Sequence, residues 1–468
     1  QLNPQNTDEN AGSWKPILLA SPDEFAIDAP IAINTSTYKT GINEIKSYQA
    51  NFSKENQDLI NYWSIGGVLR WNQIMQELVA KHNRPPYQNE NGTYPIPLAS
   101  NPFANPEFPF SNPPYAARAY AYLSTAQYDA LIATWYYKKK FNSLPAYAND
   151  PNIKVLIPKS NLSSFPSEDG VLAGVSSEIL KLLFPTEISF IQQKVEEQIK
   201  YKIIAGISIR NDVEASFLLG KKVAAKYIAR AATDGAGAAV GNQTVWTSLE
   251  KSALDRGETP WKSLENPVRP PMLPMFGNVN SFLISSTEFK ATRPIPPPST
   301  NSALFLKELN EVKYYASNAT KDQLRTVTFW ADGVGTYTPP GHWNAIAIDL
   351  FAYKSYSEVR WARNMAMLNM AMFDAAISCW DAKYYYFNPR PCQVNPEIKT
   401  LTGVPNFPAY VSGHSTFSGA AASVLSYIIP EQSQNLTEMA NEASMSRLYG
   451  GIHYRSDCEQ GLKLGKDI

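Results

Sequence analysis

"ARNMAMLNMAMFDAAISCWDAKYYYF" (residues 362–387) carries small and apolar side chains on every face of a helical projection. It therefore reads as one long, deeply buried helix. A second version of it, "ARAYAYLSTAQYDALIATWYYKKKFN", occupies residues 117–142. Ten of the 26 aligned positions are identical, among them Arg118/Arg363, Asp129/Asp374, Trp135/Trp380 and Lys138/Lys383. The offset, 383 − 138 = 245, then persists without a gap. Ser167 falls on Ser412, Gly174 on Gly419, Pro185 on Pro430, and "GISIRNDVEASFLLGKK" (206–222) on "GIHYRSDCEQGLKLGKD" (451–467). A constant offset over that span points to an internal duplication.

Few segments alternate with period two, so the expected fold is all-α, two pseudo-repeated helix bundles with few or no strands. Residues 1–45 read as an N-terminal arm and 46–235 as the first bundle. Residues 236–300 read as a connection holding the proline-rich "NPVRPPMLPMF" and "RPIPPPST", which cannot be helix interior. Residues 301–468 read as the second bundle, with its last helix expected to be cut short relative to 212–232.

Composition narrows the function. Lys plus Arg and Asp plus Glu are both 42 in 468 residues, which argues against a nucleic-acid or acidic-membrane partner. No stretch reaches the roughly 18 apolar residues of a membrane span. The chain opens on Gln1 rather than Met, so export to the periplasm, cell surface or medium is expected. Three cysteines cannot form a complete disulfide framework. Cys379 and Cys458 read as core residues, His342 as structural or pocket-lining, and His82 as a surface residue.

The two halves differ in their polar side chains. Where the second has His414 the first has Asp169; His453 faces Ser208, Arg447 faces Lys202, Arg390 faces Pro145, and Asp332 faces Ile65. A polar set needed only for folding should persist in both copies, so the second half is expected to hold the site. In order, that set is Lys383, Arg390, Ser412, Gly413, His414, Arg447, His453 and Asp457. Three cations with hydroxyl and backbone N–H donors make a receptor for a small, highly charged oxyanion. His453 and Asp457 are spaced so that on a helix the carboxylate would fix the ring's tautomer. The other ring nitrogen is then free to attack or bind the oxyanion's central atom, with His414 as general acid and base.

"KYYYFNPRP" (383–391), "VSGH" (411–414) and "SRLYGGIHYRSD" (446–457) together resemble the three-part signature of the type-2 phosphatidic acid phosphatase and vanadium haloperoxidase superfamily. The one departure is Val411, where the pattern has Pro, and it is expected to alter the turn before Ser412. The duplication, "FPAYVSGHSTF" (407–417) and "FWADGVGTYTPP" (329–340) are more similar to the vanadium haloperoxidases. That resemblance implies halide oxidation by hydrogen peroxide at a vanadate bound to His453, the one metal ligand. Lys383, Arg390, Ser412, Gly413 and Arg447 would hold the vanadate oxygens. It further implies Asp332 beside the acid–base histidine and Trp380 and Phe407 shaping the halide's approach. Phosphate fits the same cage. The alternative implied is an acid phosphatase acting on a phosphomonoester through a phosphohistidine.

Overall fold

The computed structural model describes residues 4–84, 90, 112–266 and 268–468; the other parts of the expected arm, first bundle and connection lie outside the described residues. The protein is 64 % helical, and no strand occurs among the described residues, which makes the class all-α. Helix boundaries repeat at the offset read in the sequence. Helix α1 (Pro113–Phe141) starts 245 residues before α6 (Glu358–Tyr386), and the two have equal length. The same step separates α2 (Glu168–Leu183) from α7 (Gly413–Ile428) and α3 (Ile188–Ile204) from α8 (Ser433–Tyr449). It also separates the start of α4 (Arg210–Ala231) from that of α9 (Arg455–Asp467). In the second half, α5 (Thr338–Ala352) precedes α6.

The stops and starts have matching local causes. Both long helices end at a non-glycine residue in the left-handed region, Asn142 (φ 45°) and Phe387 (φ 55°), the usual way of turning a chain off a helix end. Ser167 and Ser412 cap α2 and α7, each side chain accepting the backbone N–H three residues on. The expectation that Val411 alters this turn is corrected. The caps sit at nearly the same conformation, φ −73°, ψ 120° and φ −67°, ψ 122°. Valine at this position keeps the backbone path that the first half makes with proline.

Glycine lets the helices of each half meet backbone to backbone. A Cβ on Gly465 of α9 would lie 2.1 Å from the Thr416 carbonyl oxygen of α7, and one on Gly220 of α4 would lie 2.1 Å from Val171 O of α2. Gly465→Ala must therefore push α9 off α7. We expect a loss of about 1–3 kcal/mol, read as a lower denaturation midpoint. Gly403→Ala, which meets nothing within 4 Å, should be nearly neutral.

Two compact units form, each discontinuous in sequence. One combines Gln1–Gln76, Ala119–Ala231 and Ile346–Ala366; the other combines Glu77–Arg118, Ala232–Ala345 and Met367–Ile468. The first contains α2, α3 and α4. Its N-terminal arm is tied down by Asp129, whose carboxylate accepts the backbone N–H groups of Ile17, Leu18 and Leu19 at 2.7, 2.8 and 3.0 Å. The second contains α7, α8 and α9. Here the proline-rich connection is an ordered strap: Trp261 N–H donates to Phe387 O (2.9 Å), Met272 N–H to Asn406 O (3.1 Å), and Arg293 pairs with Asp381 (2.7 Å). Proline leaves few N–H groups in such a segment, so these anchors come from the residues between prolines.

Candidate active site

Every sequence-predicted site residue lies in the second unit. A cavity of about 290 Å³ is lined there by Trp380, Phe407, Gly413, His414, Arg447 and His453, with Asp332 at one wall. Gly413 and His414 are the first two residues of α7, so the helix's unpaired N–H groups and its positive end face this region.

His453 precedes α9 rather than lying on it, which corrects the picture of two residues on one helical face. Tyr454 is the N-cap and Asp457 the third helical residue. From there the Asp457 carboxylate reaches back and accepts Tyr454 N–H (3.0 Å) and His453 Nδ1–H (2.9 Å) through the same oxygen, Oδ2. The lone pair of His453 is thus on Nε2, 3.0 Å from Arg390 Nη1. Burial, then the cations Arg390, Lys383 and Arg447, hold the His453 pKa well below that of a free imidazole, so the ring is a neutral nucleophile or ligand.

Arg390 is fully buried. Its Nε donates to Phe407 O (2.9 Å) and its Nη1 to Ile452 O (2.8 Å), while Nη2 has no partner. An orphaned guanidinium N–H in the interior costs free energy unless an acceptor arrives. Burial lowers both Arg390 and Arg447 to about 10, which leaves them cationic at neutral pH. Arg447 is oriented by Ser446 Oγ (2.9 Å) and by Val327 O (3.2 Å). Lys383 behaves differently from a simple oxyanion ligand. Its ammonium donates to three backbone carbonyls, Pro408 (2.9 Å), Ala409 (3.0 Å) and Val411 (2.5 Å), which occupy all three hydrogens. Burial pushes the Lys383 ammonium pKa down and the Asp457 carboxyl up.

Asp332, at φ 46°, stands between two histidines. Its Oδ1 accepts from His342 Nδ1 (3.0 Å), and its Oδ2 is 3.6 Å from His414 Nε2. Burial alone would raise the Asp332 carboxyl, but His342 and His414 hold it at about 2. Burial, then the Arg447 charge, lowers His414 to about 4 against the opposing pull of Asp332. His414 is therefore neutral at pH 7.

This has a stability consequence. Between pH 6.5 and about 4 the unfolded chain protonates this histidine and the folded one does not, so the contribution is lost as pH falls through that window. Relative to His414→Gln, the wild type should lose up to about 3 kcal/mol on acidification from pH 6.5 to 4. Parallel melting curves check it.

Trp380 and Phe407 meet at the cavity in a tilted pair, ring centroids 5.0 Å apart and planes at 53°, with Lys383 Nζ 4.9 Å from the Phe407 centroid. Sequence reasoning missed two things. His342 touches Asp332, a contact that no spacing signal announces. The cavity rim also draws on Asn83, Arg84 and Arg269, from segments with no motif.

Residues 364–466 match the family model of the PAP2 superfamily. A non-specific acid phosphatase of Salmonella typhi is 33 % identical over 113 residues, which covers 22 % of this chain and 42 % of the phosphatase. The match thus spans about two fifths of that relative's length. Among solved structures, a bacterial vanadium-dependent iodoperoxidase superposes with a TM-score of 0.60 at 21 % identity, covering 85 % of this chain and 92 % of the other. A bacterial vanadium-dependent chloroperoxidase in its apo form gives 0.52 at 11 % identity, covering 79 % and 96 %. The segment that carries His414 and His453 is thus similar to the PAP2 superfamily, and the all-α fold is similar to that of the bacterial vanadium-dependent peroxidases.

Proposed function

We propose that this chain is a vanadium-dependent haloperoxidase, oxidising a halide with hydrogen peroxide in the cavity beneath Trp380 and Phe407. The observation that carries the reading is the orphaned, fully buried Arg390 Nη2, close to a neutral His453 whose tautomer is fixed by Asp457. That donor set fits a tetrahedral or five-coordinate oxyanion. Arg390, the Ser412 hydroxyl, the Gly413 N–H and Arg447 would hold vanadate oxygens, and His453 Nε2 would be its ligand. Lys383, its hydrogens engaged by carbonyls, contributes charge. Bound vanadate supplies electrophilic activation of hydrogen peroxide. His414 takes and returns the proton, Asp332 orients it, and the two aromatic rings keep bulk water from the reacting atoms.

The phosphatase relative favours a second reading, in which His453 attacks phosphorus and His414 protonates the leaving alcohol. The apolar rings at the cavity favour the first. A weakly hydrated halide passes them readily, whereas a charged ester must shed solvent at a cost of several kcal/mol. The test is a vanadate-loaded, phosphate-free sample given peroxide with each halide, beside a vanadate-free sample given p-nitrophenyl phosphate. Oxidation of iodide or bromide should exceed ester hydrolysis. Steady hydrolysis with no halide oxidation would establish the phosphatase instead.

The first half fits a duplicated copy that has lost its site. Lys202 there pairs with Asp169 at 2.7 Å, and Lys138 donates to Ser163 O at 2.5 Å and lies 3.9 Å from Glu168, so carboxylates already stand beside both cations. Calorimetric titration with vanadate should give one site per chain; two equivalent sites would contradict this.

A further inference from the structure

His342 is the buried histidine that the chemistry above leaves unused. Its only sequence context is "TPPGHWN", five residues into α5, which suggests a packing role. The structure places it 6 % exposed, its ring stacked on Trp330 (centroids 4.5 Å, 26° between planes) and edge-on to Phe329 (4.9 Å). Trp330 is itself fixed by its indole N–H donating to Glu442 (2.9 Å). The ring therefore has little freedom to rotate.

Its Nδ1 is aimed at Asp332 Oδ1, and an ionised carboxylate can only accept, so Nδ1 carries the hydrogen. Asp332 has no helix to hold it. It lies in the loop between the helix ending at Phe329 and α5, with a left-handed backbone. A carboxylate on such a loop needs a fixed donor to keep one oxygen toward a partner. Its second oxygen, Oδ2, has no hydrogen-bond partner and faces His414 Nε2, also unpartnered, at 3.6 Å. That separation is just beyond hydrogen-bond length, and such bonds commonly tighten when a reacting group is present. Arg447 and, more weakly, His342 are the other groups that act on His414 electrostatically.

We infer that His342 is a positioning residue: its Nδ1–H pins the Asp332 carboxylate from a rigid helix so that Oδ2 orients the acid–base ring of His414. The three residues form one chain, His342 to Asp332 to His414, with His342 touching none of the reacting atoms. The consequence for turnover rests on the proposed function, whereas the hydrogen bond does not.

Two substitutions separate positioning from packing. His342→Phe keeps the aromatic stack and deletes the donor; His342→Asn loses the stack and keeps an amide N–H near the Nδ1 position. Positioning predicts that His342→Phe lowers kcat about 10- to 100-fold, with KM and vanadate affinity within about threefold, and that His342→Asn restores most of the loss. In an Asp332→Asn background, His342→Phe should cost almost nothing more, because the two act as a unit. A fully active His342→Phe with an impaired His342→Asn would overturn the inference. So would an equal loss in the Asp332→Asn background. Nitrogen-15 NMR of the full chain reads the bond without turnover. His342 should be the Nδ1–H tautomer, and an Nε2–H tautomer would refute the proposal whatever the enzyme's activity.

Discussion

His453→Ala should abolish turnover, with a loss on the order of 10,000-fold or more. The ring supplies a cavity-lining nitrogen whose lone pair is set by a buried carboxylate, at 2.9 Å, and no neighbouring side chain can replace it. Alanine also leaves Asp457 without its ring partner, although Oδ2 keeps the Tyr454 N–H, so the cost to the fold should stay at about 1–3 kcal/mol. Circular dichroism and melting of the variant separate the two effects. Residual activity within 100-fold of wild type in a folded sample would remove His453 from the centre of the chemistry under either reading. Vanadate affinity should fall with it, since the anion keeps only the cationic donors.

His414→Ala is expected to split binding from chemistry. The cage donors Arg390, Ser412, Gly413 and Arg447 are untouched, so vanadate or phosphate affinity should change only a few-fold. Turnover should drop about 100- to 10,000-fold, the range for losing a general acid–base group. The direction of its pKa makes the role specific. At about 4 the ring starts neutral and can only accept a proton at pH 7. An anion bound beside it would raise that value and let it return the proton. Titration of the His414 ring with and without vanadate measures this; an unchanged value would argue against the ring facing the anion at all.

Much of this was legible in the sequence, for identifiable reasons. Buried helices with small residues all round have no amphipathic period, so the repeat, rather than periodicity, revealed the fold. The site was legible because His414, His453, Arg390 and Arg447 are replaced in the first half, although Lys138, Ser167 and Asp212 match Lys383, Ser412 and Asp457 there. Three-dimensional details were not legible. Lys383 at the end of α6 looks like any cationic ligand, and only the path of residues 408–411 surrounds it with carbonyls. The His453–Asp457 spacing suggests one helical face, whereas the contact is made around a helix start. His342 meets Asp332 because Asp332 and Thr338 both take positive φ and fold the loop back, which no spacing rule encodes. Four of the five unit boundaries fall inside helices, where composition does not change, and the fifth falls at the end of α4.

The contact between Gly465 and Thr416 sets the terms on which this architecture can diversify. One helix of that contact carries His414 as its second residue and the other begins two residues after His453, so the glycine clamp acts as a ruler between the two histidines. Loop changes cannot lengthen or shorten that ruler. New selectivity must then come from residues outside it, namely Asn83 and Arg84, Arg269 and Met272, and Thr402 to Phe407, all on the cavity wall. A library confined to those positions would vary what enters the cavity while holding the spacing of the reacting groups constant.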